Sequence, residues 1–76
     1  MLSIDFKNAL NKSADNFTCK LFQLMLKCDP INLKKLGKEY PVEANMVFFY
    51  HNACPYNGND VDFIKLEEMA RNMDKG

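Results

Sequence analysis

The sequence predicts an all-α protein, a compact bundle of four or five short helices that forms a single domain over residues 1–76. Apolar residues recur three and four positions apart in residues 17–28 and again in residues 63–73, the spacing of one face of an α-helix. Pro30 and Pro41 each stand where a new helix is expected, because proline suits the first helical position. We therefore expect helix in every segment between the turns.

Two helices are predicted before the first of these prolines. Apolar residues spaced four apart predict a short helix over residues 1–12, with Ser3 as its N-cap. A longer helix is expected over residues 16–28 and is expected to be central. Its buried face is predicted from the residues that recur at helical spacing, which are Phe17, Leu21, Leu24, Met25 and Cys28.

Asp29 is the expected N-cap of a third helix of about nine residues, which Gly37 and the Tyr40-Pro41 step are expected to end. A fourth helix is predicted to begin at Pro41. Its segment 46–50 is apolar at every position, so a buried strand is an alternative. We prefer helix, because the sequence offers no second strand to pair with this segment.

The clearest loop lies at residues 54–60, where Pro, Asn-Gly and Asp occur together. Asn59 or Asp60 is expected to cap the last helix, which is predicted to run to about Met73.

Charge excludes two simple functions. The chain has ten basic and ten acidic residues and no net charge, unlike a nucleic-acid binder that acts by bulk positive charge or an acidic mimic of nucleic acid. Residues 1–40 carry seven Lys and four acids (+3), and residues 41–76 carry three basic and six acidic residues (−3). We favour attraction between the two halves within the fold; a bipolar surface for a partner is the alternative.

The three cysteines are odd in number, the chain opens without a signal-like segment, and no apolar run reaches 18 residues. These features predict a cytoplasmic protein with reduced thiols and no membrane span. His51 and Cys54 are spaced as a possible ligand pair, but zinc needs four ligands, and a catalytic thiol needs a base and an orienting group. We therefore predict no metal, no cofactor and no enzymatic activity.

Aromatic residues on and after the fourth helix cover more of its circumference than one bundle core can bury. We predict that they anchor a protein partner or close a homodimer, and the alternative is a helix covered on all sides. These residues are Phe48, Phe49, Tyr50, His51 and Tyr56. The alternative function is nucleic-acid contact through one lysine face of the third helix, made by Lys34, Lys35 and Lys38, although a solvated face explains these lysines better.

Residues 27–44 resemble a pattern found in small helical proteins of phages and prophages of Gram-positive bacteria, approximately K-A-D-x-x-N-x-x-K-L-x-x-x-F-P-x-E-V. This chain has Cys28, Tyr40 and Ala44 where the pattern has Ala, Phe and Val. The resemblance spans about residues 21–50, marks a helix–turn–helix packing motif and carries no catalytic residue. It implies a phage protein that acts in the host cytoplasm by binding and blocking a host protein, for instance a CRISPR-type defence effector.

Overall fold

The computed structural model describes residues 1–75, and that part of the chain contains five α-helices and one short β-hairpin. The predicted all-α fold is confirmed. The helices are α1 (Leu2–Asn11), α2 (Phe17–Lys27), α3 (Pro30–Glu39), α4 (Pro41–Asn52) and α5 (Phe63–Lys75). The hairpin joins α4 to α5 through β1 (Tyr56–Asn57) and β2 (Asp60–Val61).

Four helices share the core, and the fifth lies outside it. The Phe6 ring of α1 is fully buried, and its centroid lies 4.8 Å from Phe22 of α2, 5.3 Å from Tyr50 of α4 and 6.0 Å from Phe63 of α5. By contrast, α3 contributes no buried residue and packs mainly against α4. The buried apolar residues are Phe6, Ala9, Cys19, Leu21, Phe22, Met25, Ala44, Met46, Val47, Leu66 and Ala70.

The turns around α3 follow their local sequence. The Asp29 carboxylate accepts a hydrogen bond from the backbone N–H of Asn32 at 2.7 Å, so the predicted N-cap is confirmed. Tyr40 alone connects α3 to α4; its N–H donates to the Leu36 carbonyl, and its own carbonyl accepts from Ala44. Gly37 lies inside α3 and does not end it.

Glu67 joins the two ends of the chain. Its carboxylate is buried and accepts the backbone N–H of Ser3 at 2.7 Å, while Arg71 donates to the other carboxylate oxygen at 2.8 Å. Burial by itself would raise the pKa of Glu67, but the bonds from Arg71 and Ser3 outweigh it and hold that pKa below its ordinary value. A carboxylate from α5 thus satisfies an N–H in the first turn of α1.

Two predictions for the first helices are wrong. Ser3 is not the N-cap of α1; Met1 occupies that position, and Ser3 is buried in the first turn beside Glu67. Phe17 and Leu24 are 66% and 53% exposed, so they do not belong to the buried face of α2. The reason is the position of the neighbours, because α1 and α4 pack on the side of α2 that carries its buried residues: Cys19, Leu21, Phe22 and Met25.

The segment before α5 also differs from expectation. The predicted loop contains a hairpin whose Gly58 has φ 66°, the left-handed region that suits glycine at the first position of a two-residue turn. Asp62 caps α5, because its carboxylate accepts a hydrogen bond from the Lys65 N–H at 3.0 Å. The predicted caps, Asn59 and Asp60, do not have this role. The last helix runs to Lys75 and so extends beyond Met73.

We expect Asp29→Ala to lower the free energy of unfolding by about 0.5–2 kcal/mol, because the first turn of α3 loses its cap. Asp29→Asn is the matched control and should stay close to wild type, since Asn caps as well as Asp. Chemical denaturation followed by circular dichroism measures both. An Asp29→Ala variant of unchanged stability that has lost partner binding would make Asp29 a contact residue instead.

Glu67 should make stability depend on acid. Because its pKa is lowered in the folded state, its contribution is present above the unfolded-state pKa of about 4.3 and is lost as the pH falls through the folded-state pKa. Glu67→Gln should therefore show a smaller loss of thermal midpoint between about pH 5 and pH 3 than wild type.

Glu68→Gln on the same helix is the control, because Glu68 is exposed. It should keep the acid sensitivity of the wild type. Equal pH profiles for wild type and Glu67→Gln would contradict the assignment of this acid sensitivity to Glu67.

Candidate protein-docking groove

An open groove of about 590 Å³ lies between α3, α4 and the end of α5. One face of α3 forms one wall, one face of α4 forms the second, and the last turns of α5 close the third side. We call this surface the α3–α4–α5 groove. Its lining residues are Pro30, Leu33, Lys34, Gly37, Lys38, Pro41, Ala44, Asn45, Phe48, Met73 and Asp74.

The groove exists because α3 and α4 meet closely at one point and are joined by one residue. A Cβ placed on Gly37 would lie 3.1 Å from the Ala44 Cβ, which is tighter than ordinary van der Waals contact. Two small residues therefore let the helices touch. From this contact the lining continues to Pro30 on α3 and to Phe48 on α4.

Apolar side chains dominate the groove. Phe48 is 47% exposed and Met73 is 53% exposed, although both are large hydrophobic residues, and Leu33 is half-buried between them and the core. Asn45 fixes the third wall, because its side-chain amide donates to the Ala70 carbonyl of α5 at 3.1 Å. The exposed apolar side chains thus lie on helices that a hydrogen bond between α4 and α5 holds together.

Two lysines border the apolar lining on the α3 side. Lys34 and Lys38 are one helical turn apart, about 6 Å along the axis, and both are exposed. Within residues 1–75 neither ammonium group makes a salt bridge. Asp74 lies on the opposite wall. The groove therefore has a basic edge on α3 and an acidic group on α5.

The five predicted partner-binding residues do not meet on one surface. Phe48 lines the groove, and its ring centroid lies 5.7 Å from that of Phe49, which is half-buried. Tyr50 is also half-buried and packs on Phe6 of the core. His51 is exposed beside Tyr50, with ring centroids 5.6 Å apart.

Tyr56 lies on the hairpin, away from the groove lining, and is 64% exposed. The Cys54 side chain nearby, through its electrostatic interaction and a hydrogen bond, raises the pKa of Tyr56 above its ordinary value. His51 and Tyr56 are thus exposed but do not line the groove, whereas Phe48 does.

The predicted lysine contacts divide in the same way. Lys34 and Lys38 line the groove, and Lys35 is exposed but lies outside the lining. The two alternatives drawn from the sequence, an aromatic anchor and a lysine face, therefore share one surface. Sequence reasoning did not place Leu33 or Met73 at a site. The lining positions of α3, which are 30, 33, 34, 37 and 38, have the spacing of one face of a helix.

The remaining groups of interest are the possible metal ligands, the buried thiol of Cys19 and the charged side chains. Residues 1–75 contain no group of three or more His, Cys, Asp or Glu side chains that could hold a metal ion. Cys19 is buried, donates to the Asp5 carbonyl at 3.4 Å, and has its pKa raised first by burial and then by the Asp5 charge. The salt bridge seen in this part of the chain lies within α5, between Glu67 and Arg71, and does not join the basic and acidic halves.

In residues 1–75 no helix combines the length and the apolar character needed to cross a bilayer. Comparison with protein-family models, with curated proteins and with solved structures found no match to this chain. The geometry of the groove and the residues that line it are therefore the basis for a functional proposal.

Proposed function

We propose that this chain is a small non-enzymatic protein-binding module that holds a partner protein in the α3–α4–α5 groove. The observation that carries the proposal is Phe48, a large aromatic residue left 47% exposed on a concave apolar surface. Aromatic residues in such positions are frequent anchors of protein interfaces. Burial of this ring by a partner would remove apolar area that the fold itself leaves in water.

The form of the groove favours a protein over a small molecule. Small-molecule sites enclose most of the surface of their ligand. The α3–α4–α5 groove is open along one side, and its lining runs from Pro30 to Lys38, roughly 12 Å along α3. An open apolar strip of this length suits a segment of another protein.

We propose that the partner is a host protein and that binding blocks it in the host cytoplasm. The stretch that resembles phage proteins, residues 27–44, builds α3 and the start of α4, which are two walls of the groove. A host defence effector, such as a CRISPR-type nuclease, is the concrete form of this proposal. The groove then blocks by occupancy, which requires no catalytic residue.

We expect Phe48→Ala to abolish capture of a partner with little change in melting temperature, because the ring is half-exposed. Truncation of an aromatic anchor costs about 2 kcal/mol or more of binding free energy. Phe17→Ala is the matched control: Phe17 is 66% exposed and lies on α2, outside the groove lining.

The experiment is affinity capture from a Gram-positive lysate with cross-linking mass spectrometry, and the three proteins are compared directly. Sedimentation equilibrium on the same proteins tests whether the groove instead closes a homodimer. Capture that survives Phe48→Ala but fails with Phe17→Ala would place the binding surface on α2 and contradict the proposal.

The second candidate function is a nucleic-acid accessory role. Lys34 and Lys38 favour it, since both are exposed and neither makes a salt bridge within residues 1–75. We expect no measurable binding to duplex or single-stranded DNA at physiological salt, because two or three lysines release few counterions. Fluorescence anisotropy over a salt series measures this. Micromolar binding with a slope near −0.9 per contact, lost in Lys34→Glu/Lys38→Glu, would make this the leading function.

A further inference from the structure

The charges on the edges of the α3–α4–α5 groove limit the kind of segment that can lie in it. On one wall Lys34 and Lys38 are separated by one helical turn, and on the other Asp74 contributes a negative charge. Phe48 and Met73 contribute exposed apolar side chains to the same lining. A partner must place apolar groups in the middle and negative charge along α3.

The dimensions of the groove favour a helix as that segment. Lys34 and Lys38 repeat after four residues, and acidic residues at positions i and i+4 of an opposing helix have the same spacing of about 6 Å. The lining extends roughly 12 Å along α3, which is slightly more than the length of two helical turns. Apolar residues at i, i+4 and i+7 of a docked helix span about 10.5 Å and fit within it.

An extended strand has no comparable support here. Strand docking needs a sheet edge with unpaired backbone groups. The walls of the groove are helices, whose backbone groups are already bonded within each helix.

We infer that the groove binds an acidic amphipathic helix of the partner protein, with its apolar stripe on Phe48 and Met73 and one acidic edge along Lys34 and Lys38. The inference rests on the proposed function and deepens it by naming the class of ligand. Glu or Asp residues at i and i+4 occupy the α3 side. The edge that faces Asp74 carries no acidic residue, because a like charge there would be repelled.

The test is selection of binders from two displayed peptide libraries, with the whole chain as bait. In one library, peptides have a helical framework with apolar residues at i, i+4 and i+7 and random flanking positions; the other is unconstrained in conformation. The best peptides are then measured by fluorescence anisotropy against four variants. These are Phe48→Ala, Phe17→Ala, Lys34→Glu/Lys38→Glu, and the charge-matched control Lys7→Glu/Lys20→Glu, whose two lysines are exposed on α1 and α2 outside the groove lining.

We expect helical binders with an acidic edge that lose binding with Phe48→Ala and keep it with Phe17→Ala. Reversal of Lys34 and Lys38 should weaken them at least about tenfold, because two edge ion pairs of about 0.7 kcal/mol each are lost and like charges then face each other. The Lys7→Glu/Lys20→Glu control should leave their affinity unchanged. Exchange of the acidic residues in the peptide for lysine should restore binding to the reversed variant.

Other outcomes separate the inference from the proposed function. Helical binders that need Phe48 but show no acidic preference, or extended binders that need Phe48, overturn the inference and leave the groove as a docking site. Binders that ignore Phe48→Ala, or no binders from either library, overturn the proposed function and the inference together. Circular dichroism of every variant confirms that a lost affinity does not come from unfolding.

Discussion

The packing of the whole protein depends on the Phe6 ring, where four of the five helices of residues 1–75 meet. Rings from α2, α4 and α5 surround it at centroid distances of 4.8–6.0 Å. A chain of this size buries only about 60% of the surface that its unfolded form exposes, so one aromatic cluster carries much of the core. Because these four helices satisfy one another around Phe6, α3 remains outside and free to form the wall of a groove.

Short-range constraints set the position of α3, together with Leu33 and Leu36, which are partly buried against the core. Asp29 begins the helix, Tyr40 turns the chain directly into α4, and Gly37 lets the two helices touch at Ala44. These contacts fix the basic edge relative to Phe48, although α3 has no fully buried residue. Side chains on the exposed face of α3 can therefore be substituted without a large effect on folding.

What the sequence predicts correctly here is local, and what it misses is tertiary. Asp29 and Pro30 define a helix start because a cap needs only residues within one turn. Ser3 has the chemistry of a cap, yet its N–H is satisfied by Glu67, 64 positions away, a contact that no local pattern indicates. The buried side of α2 likewise depends on where α1 and α4 lie, so helical spacing alone assigned Phe17 and Leu24 to the wrong face. The exposure of an aromatic residue on α4 was predictable, whereas the contribution of α5 to the groove was not.

The five consecutive apolar residues of α4 explain why one aromatic ring stays exposed. On a helix they point in all directions, and the structure buries Met46 and Val47, half-buries Phe49 and Tyr50, and leaves Phe48 in the groove. A polar residue at position 48 would cost the core little, because the ring is already half in water. Exposure alone does not single out Phe48, since Phe17 is exposed to a greater extent; what distinguishes Phe48 is its position on a concave surface that residues of α3 and α5 extend. The proposal that Phe48 belongs to an interface therefore depends on this concave setting and on the basic edge formed by Lys34 and Lys38.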